Sequence, residues 1–197
     1  MPTSSPRTVL VTGAAHRLGR EISLAFASAG WNLLCHYRAS QSGAQDTQAA
    51  VRALGRECLL VTADLAQPDA AEQVLAQCVA LTSAAPHCIV NNASLFEADD
   101  ASTASAQALM QHFMTNAATP LLLGNALHTR LRAQREPTAG RYSVIHVLDQ
   151  KVHNLNPDYF SYTVSKLALE RSVALQAQAL APLVRVCGLS PGLMYLS

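Results

Sequence analysis

Apolar residues along the chain fall into short dense runs separated by stretches of helical spacing. Arg7 to Thr12 (RTVLVT) is a β-branched run ahead of a glycine and reads as a first strand. Leu18 to Ala29 places Leu18, Ile22, Ala25 and Phe26 on one helical face and is closed by Gly30. Trp31 to Tyr37 is a second strand, Ser42 to Gly55 a second helix, and Cys58 to Thr62 a third strand. Pro68 to Leu81 follows as a helix, with Pro68 suited to its first turn. Cys88 to Asn91 is a fourth strand. A long helix then runs around Ser105 to Leu131, with Pro120 predicting a kink or break. Tyr142 to Leu148 is a fifth strand, Pro157 to Leu180 a helix stopped before Pro182, and Val184 to Leu189 a sixth strand.

Strands alternating with helices predict an α/β fold: a Rossmann-like, doubly wound parallel sheet with helices on both faces. Neither a linker nor an internal repeat interrupts the pattern, so a single domain over residues 1–197 is expected, with residues 1–6 as a flexible polar tail. In such a sheet ligands bind at the carboxyl ends of the strands, at the switch point between strands one and four. The candidate motifs all fall at such ends or at the start of the following helix.

Composition narrows the picture only a little. Half the residues are hydrophobic and the formal net charge is +1, which gives no reason to expect a nucleic-acid or membrane-surface partner. No apolar run approaches the roughly 18 residues of a membrane span. Cys35, Cys58, Cys78, Cys88 and Cys187 are scattered without C-x-x-C spacing and read as small core residues in a reducing, cytoplasmic compartment. The histidines show no metal-ligand spacing, and no metal is expected. Lysine occurs only at Lys151 and Lys166, which gives a lysine at a motif position added weight.

The turn after the first strand reads TGAAHRLG, from Thr12 to Gly19. Gly13 and Gly19 flank a loop, carrying His16, Arg17 and Leu18, that runs into a helix. A backbone without Cβ atoms can approach a pyrophosphate, and a helix N-terminus offers free N–H groups; an ordinary tight turn is the competing explanation. The tip of the second strand, His36-Tyr37-Arg38-Ala39-Ser40, carries no carboxylate to accept from a ribose 2′-hydroxyl. Arg38 can fork onto a 2′-phosphate and Ser40 can donate to it, which favours NADPH over NADH; a solvated surface arginine is the alternative. Asp64-Leu65 follows the third strand, beside the expected adenine position, or serves as a helix cap.

Tyr162 and Lys166 stand four apart in one helix and share a face. A phenol with a reference pKa near 10 is a poor acid–base group at neutral pH, and a nearby ammonium is expected to lower that value. Such a pair can deliver a proton while a nicotinamide delivers a hydride.

With these residues in view the chain resembles the short-chain dehydrogenase/reductase family over essentially its whole length. The carrying motifs are TGAAHRLG, Asp64-Leu65, the NNAS stretch from Asn91 to Ser94, Asn116, the YTVSK stretch from Tyr162 to Lys166, and Pro191-Gly192 after the sixth strand. The resemblance implies that Tyr162 is the acid–base residue and that Lys166 lowers its pKa and holds the nicotinamide ribose. It implies that Asn116 supports a water linking the lysine to solvent, and that Asn92 and Ala93 line the adenine-side cleft. Family members continue beyond Pro191-Gly192 with a substrate-covering segment, a helix and a seventh strand, so a sheet lacking these is expected. A homotetramer or homodimer is implied as well.

Two departures bear on the substrate. Thirteen residues before the tyrosine, where most of the family has a serine, stands Asp149, and Arg17 occupies a usual glycine position. With the HYR tip and Phe96 after NNAS, these resemble the pteridine reductase branch and its bacterial dihydrofolate/dihydromonapterin reductase relatives. The branch implies a pterin held between nicotinamide and Phe96, with Arg17 reaching the cofactor phosphate and pterin edge and Ser94 contacting both ligands. Phe96 also reads as a core aromatic, Arg17 as a pyrophosphate counter-charge alone, and Asp149 as a structural acid. Three functions stay open: reduction of a pterin or dihydrofolate by NADPH; reduction of a 3-oxoacyl or other ketone; and NADPH binding with little turnover.

Overall fold

A computed structural model describes residues 6–133 and 141–192 of the chain. Of the tail expected at residues 1–6, residues 1–5 lie outside the described residues, as does everything after Gly192. The six strands β1 (Thr8–Val11), β2 (Asn32–Tyr37), β3 (Cys58–Thr62), β4 (Cys88–Asn91), β5 (Tyr142–Val147) and β6 (Val184–Leu189) form one sheet in the order β3-β2-β1-β4-β5-β6. Every neighbouring pair is parallel. This is the doubly wound order, with its switch between β1 and β4.

The central strands β1, β2 and β4 are apolar on both faces because both faces are covered, whereas β6 leaves Arg185, Cys187 and Leu189 exposed. Val9, Val11, Leu33, Cys35, Cys58 and Val90 pack under α1 (Arg17–Ser28) and α2 (Gln41–Ala53). Leu10, Leu34, Ile89, Val144 and Val184 pack under α3 (Ala70–Thr82), α5 (Thr119–Arg132) and α6 (Phe160–Leu180).

Three helix boundaries differ from expectation. Pro68 lies ahead of α3 rather than in its first turn, because Gln67 N–H returns to the Asp64 carbonyl and Ala70 N–H to Gln67, closing a separate turn there. Pro120 does not break its helix: α4 (Ala106–Phe113) passes through a π turn at Met114–Ala118 into α5, and Pro120 sits in the first turn of α5. Proline has no N–H, so the Asn116 carbonyl four residues back loses its regular donor, and the wider turn absorbs the mismatch. Pro157 is outside α6, which starts at Phe160 after Tyr159 takes a left-handed backbone (φ 52, ψ 51). The first turn of α6 is capped from a distance: Ser161 N–H donates to Asp99 Oδ1 at 3.0 Å and the Ser161 hydroxyl to Asp99 Oδ2.

The switch point is closed by the chain itself. Thr12 Oγ1 accepts from the backbone N–H of Asn92 (2.9 Å) and of Ala93 (3.0 Å), so the β1 and β4 turns interlock. Gly13 has φ +65, and a Cβ there would lie 2.9 Å from Ala93 Cα. A Cβ on Gly19 would lie 2.1 Å from the Gly13 carbonyl oxygen and 2.6 Å from Asn92 Nδ2. Both glycines are therefore demanded by chain-to-chain packing, whatever ligand the turn accepts. His36 ties in β2: Gly13 N–H donates to its Nδ1 at 3.2 Å, which leaves the proton on Nε2, aimed at the Ala63 carbonyl at 3.2 Å. Burial lowers the His36 pKa from 6.5 to about 4, against a smaller opposing pull from Ala63.

A Gly19→Ala variant is expected to lose about 2 kcal/mol or more of stability, because the clash is with backbone, and a thermal melt measures it. His36 in the native protein should titrate near pH 4 rather than near 6.5 in an NMR pH series. Its contribution to stability is complete above pH 6.5 and is lost as pH falls from there towards 4, since only the unfolded chain binds the proton in that window.

Candidate active site

The carboxyl end of β5 and the first turns of α6 bring three titratable side chains together. Asp149 caps a short 3-10 turn, Gln150–Val152, with Oδ1 accepting from Lys151 N–H at 2.8 Å. Its other oxygen, Oδ2, accepts from the Tyr162 hydroxyl at 2.5 Å. One turn further along α6, Lys166 is 2% exposed and donates through Nζ to the Val147 carbonyl at 2.8 Å. The same Nζ lies 5.8 Å from the centre of the Tyr162 ring.

This geometry corrects the expected electrostatics of the pair. Tyr162 does not become more acidic beside Lys166: burial raises its pKa, and donation to the Asp149 carboxylate raises it further. Lys166 moves the other way, from 10.5 down to about 8, because burial disfavours the ammonium more than Asp149 supports it. The tyrosine thus stands protonated, with its proton already shared towards a carboxylate.

Phe96 is half-exposed on the segment after β4 and is not a core residue. Its ring stacks on Tyr159 (centroids 4.0 Å apart, planes 7° apart) and meets the edge of Tyr162 at 4.6 Å. The Asp99 clamp on α6 holds this segment in place.

Asn116 sits in the π turn and is buried, but its side chain does not reach Lys166. Nδ2 donates to the Leu95 carbonyl (2.9 Å) and to Ser165 Oγ (3.0 Å), and Oδ1 accepts from Leu95 N–H (2.7 Å) and Ser94 Oγ (3.3 Å). These four bonds tie the π turn to the segment after β4 and to α6.

On the nucleotide side the expected residues divide. The N-terminus of α1 has no side-chain cap, and exposed Arg17 opens it with φ 47, so its first N–H groups could meet an anion. Leu18 packs against the core beneath and offers only its backbone. Arg38 and Ala39 are exposed at the β2 tip, and His16 Nε2 pairs with Ser40 Oγ at 2.6 Å across the two turns. His36, expected at the cofactor, is instead sealed beneath the glycine turn, and Tyr37 is half-buried against the α1/α2 core. Leu65 is likewise a core side chain, while Asp64 Oδ1 accepts from Ala66 N–H at 3.1 Å in a local turn. Asn92 Nδ2 is committed to the carbonyls of Thr12 (2.9 Å) and Gly13 (3.2 Å), and Ala93 packs on Gly13. Ser94 is exposed, Pro191 half-buried, and Gly192 faces open space.

Several residues escaped the sequence pattern. Thr12 and Asp99 act through loops that only the fold brings near, and Tyr159 gave no signal beyond a second aromatic three residues before Tyr162. A buried relay also lies behind the site: Asn91 Nδ2 contacts His146 Nδ1 at 3.2 Å, and His146 Nε2 contacts Gln176 Oε1 at 2.9 Å. Gln176 Nε2 in turn donates to the Leu121 carbonyl at 2.7 Å, tying α6 to α5. An apolar groove of about 750 Å³ between α3 and α5, lined in part by Leu75, Val79 and Leu122, shares no residue with this cluster. Among the described residues no group of three or more His, Cys, Asp or Glu is placed to hold a metal, and no helix is long and apolar enough to cross a membrane.

Known proteins resemble this arrangement. Pteridine reductase 1 of Leishmania tarentolae is 31% identical, over 98% of this chain and 79% of that protein. Dihydromonapterin reductase of Klebsiella pneumoniae subsp. pneumoniae is 26% identical, over 98% and 77%. The crystal structure of FolM alternative dihydrofolate reductase 1 from Brucella canis, complexed with NADP, superposes with a TM-score of 0.79 at 31% identity, covering 94% of this chain and 73% of that one. The family model described as short chain dehydrogenase matches residues 7–196. The chain therefore belongs to the short-chain dehydrogenase/reductase family of oxidoreductases, and within it is similar to the pteridine and dihydromonapterin reductases.

Proposed function

We propose that this chain binds NADPH and reduces a C=N bond of a pterin or dihydrofolate-type substrate. The observation that carries this is the 2.5 Å contact from the Tyr162 hydroxyl to Asp149, with the Phe96 ring perpendicular to that of the same tyrosine. A serine suits a carbonyl oxygen, whereas a carboxylate can accept from the amino-pyrimidine edge of a pterin or pass a proton towards a ring nitrogen. Each Asp149 oxygen already accepts one hydrogen bond and keeps a lone pair for such an edge. The relatives named for pteridine, dihydromonapterin and dihydrofolate reduction support the same substrate class.

The nucleotide-side residues fit NADPH. The uncapped start of α1 suits a pyrophosphate, and Arg38 with the His16–Ser40 pair suits a 2′-phosphate at a strand tip without a carboxylate. When bound, the nicotinamide supplies the hydride. Tyr162, kept protonated by burial and Asp149, holds the proton for the reduced nitrogen. Lys166, fixed on the Val147 carbonyl, keeps positive charge next to the phenol and suits a ribose hydroxyl. Asn116, fixed in the π turn, is placed to support a water that returns a proton. Phe96 supplies a flat face for the substrate ring, with Ser94 and Arg17 at its borders.

Asp149→Ser is expected to lower kcat/KM for dihydrobiopterin and dihydrofolate by about a hundredfold while preserving or raising any ketone turnover, read by NADPH absorbance. A purified protein that oxidises NADPH with ketones but with no pterin would make it a carbonyl reductase. Binding of NADPH without turnover of either would leave a nucleotide-binding protein.

Exposed apolar side chains on α4 (Met110, Phe113) and α6 (Val164, Leu175) support a homodimer or homotetramer built on these two helices. Light scattering on the purified protein should give a mass two or four times 21.0 kDa, and a monomer at micromolar concentration would reject it.

A further inference from the structure

Of the two lysines, one sits beside the phenol; the other, Lys151, ties the loop that joins the two halves of the site. This loop leaves β5 at Asp149 and re-enters the site at Tyr159, the residue before α6. The Lys151 backbone N–H fixes Asp149, as described above. Its ammonium reaches across to the far end of the same loop, donating to Asn156 Oδ1 at 2.5 Å, to the Asp158 carbonyl at 3.3 Å, and to the Asp158 carboxylate in an ion pair. All three N–H directions of the ammonium are thereby assigned. The Lys151 side chain is 15% exposed and the Asp158 side chain 58%, so the ion pair is open to solvent at its acidic end and the clamp rests on all three ammonium contacts together. The ammonium also lies 5.2 Å from the Tyr159 ring centre, on the ring that stacks against Phe96. Tyr159 holds a left-handed backbone that a tyrosine adopts only when its surroundings impose it.

We infer that Lys151 is a positioning residue that sets the aromatic wall of the substrate site, by clamping Tyr159 so that the Phe96 ring stacked on it is held at a fixed place beside Tyr162, where a flat heteroaromatic ring would bind. This rests on the substrate class proposed above. Lys151 touches neither the hydride donor nor the proton-bearing oxygen; it acts on substrate through Tyr159 and Phe96. Its loss should therefore weaken substrate binding and leave the chemical step and nucleotide binding alone.

Lys151→Met and Asp158→Asn, which open the clamp from its two ends, are expected to raise KM for dihydrobiopterin roughly tenfold while kcat changes less than about twofold. The NADPH dissociation constant, read by nicotinamide fluorescence, should not move, and Lys151→Arg should restore most of the KM. An unchanged KM in Lys151→Met, or an equal loss of NADPH affinity, would overturn the inference. A second readout is independent of substrate: with 3-fluorotyrosine incorporated, the Tyr159 fluorine signal should lose its ring-current shift from Phe96 in Lys151→Met. An unmoved signal rejects the clamp, whereas a moved signal in a protein that turns over no pterin rejects the substrate class and keeps the clamp.

Discussion

The Thr12 hydroxyl is the point on which the site depends. It accepts from two backbone N–H groups of the β4 turn while belonging to the β1 turn, at the one place in a doubly wound sheet where crossovers leave in opposite directions. Separation of these turns would open a crevice of arbitrary shape. Their interlock fixes the start of α1, the NNAS segment and, through Asn116, the segment carrying Phe96. The start of α1 and the segment carrying Phe96 are thus registered against each other through the side chains of Thr12 and Asn116.

Proton placement follows from burial more than from the neighbouring ammonium. Sequence spacing puts Lys166 and Tyr162 on one face, but Lys166 points its charge at the Val147 carbonyl and is itself pushed towards neutrality by burial. Burial is what keeps the phenol protonated, and Asp149 adds to it, because a carboxylate accepting from a phenol holds the proton on oxygen. With Asp149 as its partner, the Tyr162 hydroxyl is held in its protonated form rather than as an anion.

The strands, the sheet order and the Tyr162–Lys166 face were legible because each rests on local periodicity or on a short spacing. Strands β3, β4 and β6 begin and end where their apolar runs do. The proline positions misled, because a proline excludes hydrogen bonds without stating which neighbour adapts. At Pro120 the adjustment fell upstream as a π turn, and at Pro157 the helix start was set by Asp99, nearly sixty residues earlier. His36 and Leu65 belonged to motifs that do mark a nucleotide site, yet both turn inward as supports, since a motif records position along a strand and not which face a side chain takes. Tyr159 and Lys151 lay outside every motif because their importance arises from a loop folding back on itself.

The sealed imidazole of His36 has a consequence for how cofactor choice can change in such a chain. A residue that braces the glycine turn from beneath cannot vary without disturbing that turn, whereas Arg38 and Ala39, two and three residues on, lie exposed just past the carboxyl end of β2 with no such duty. Foundation and recognition are consecutive in sequence but mechanically separate. In the NADPH site proposed above, exchange of the exposed pair alone would alter nucleotide choice without touching the hydrogen bonds that brace the glycine turn.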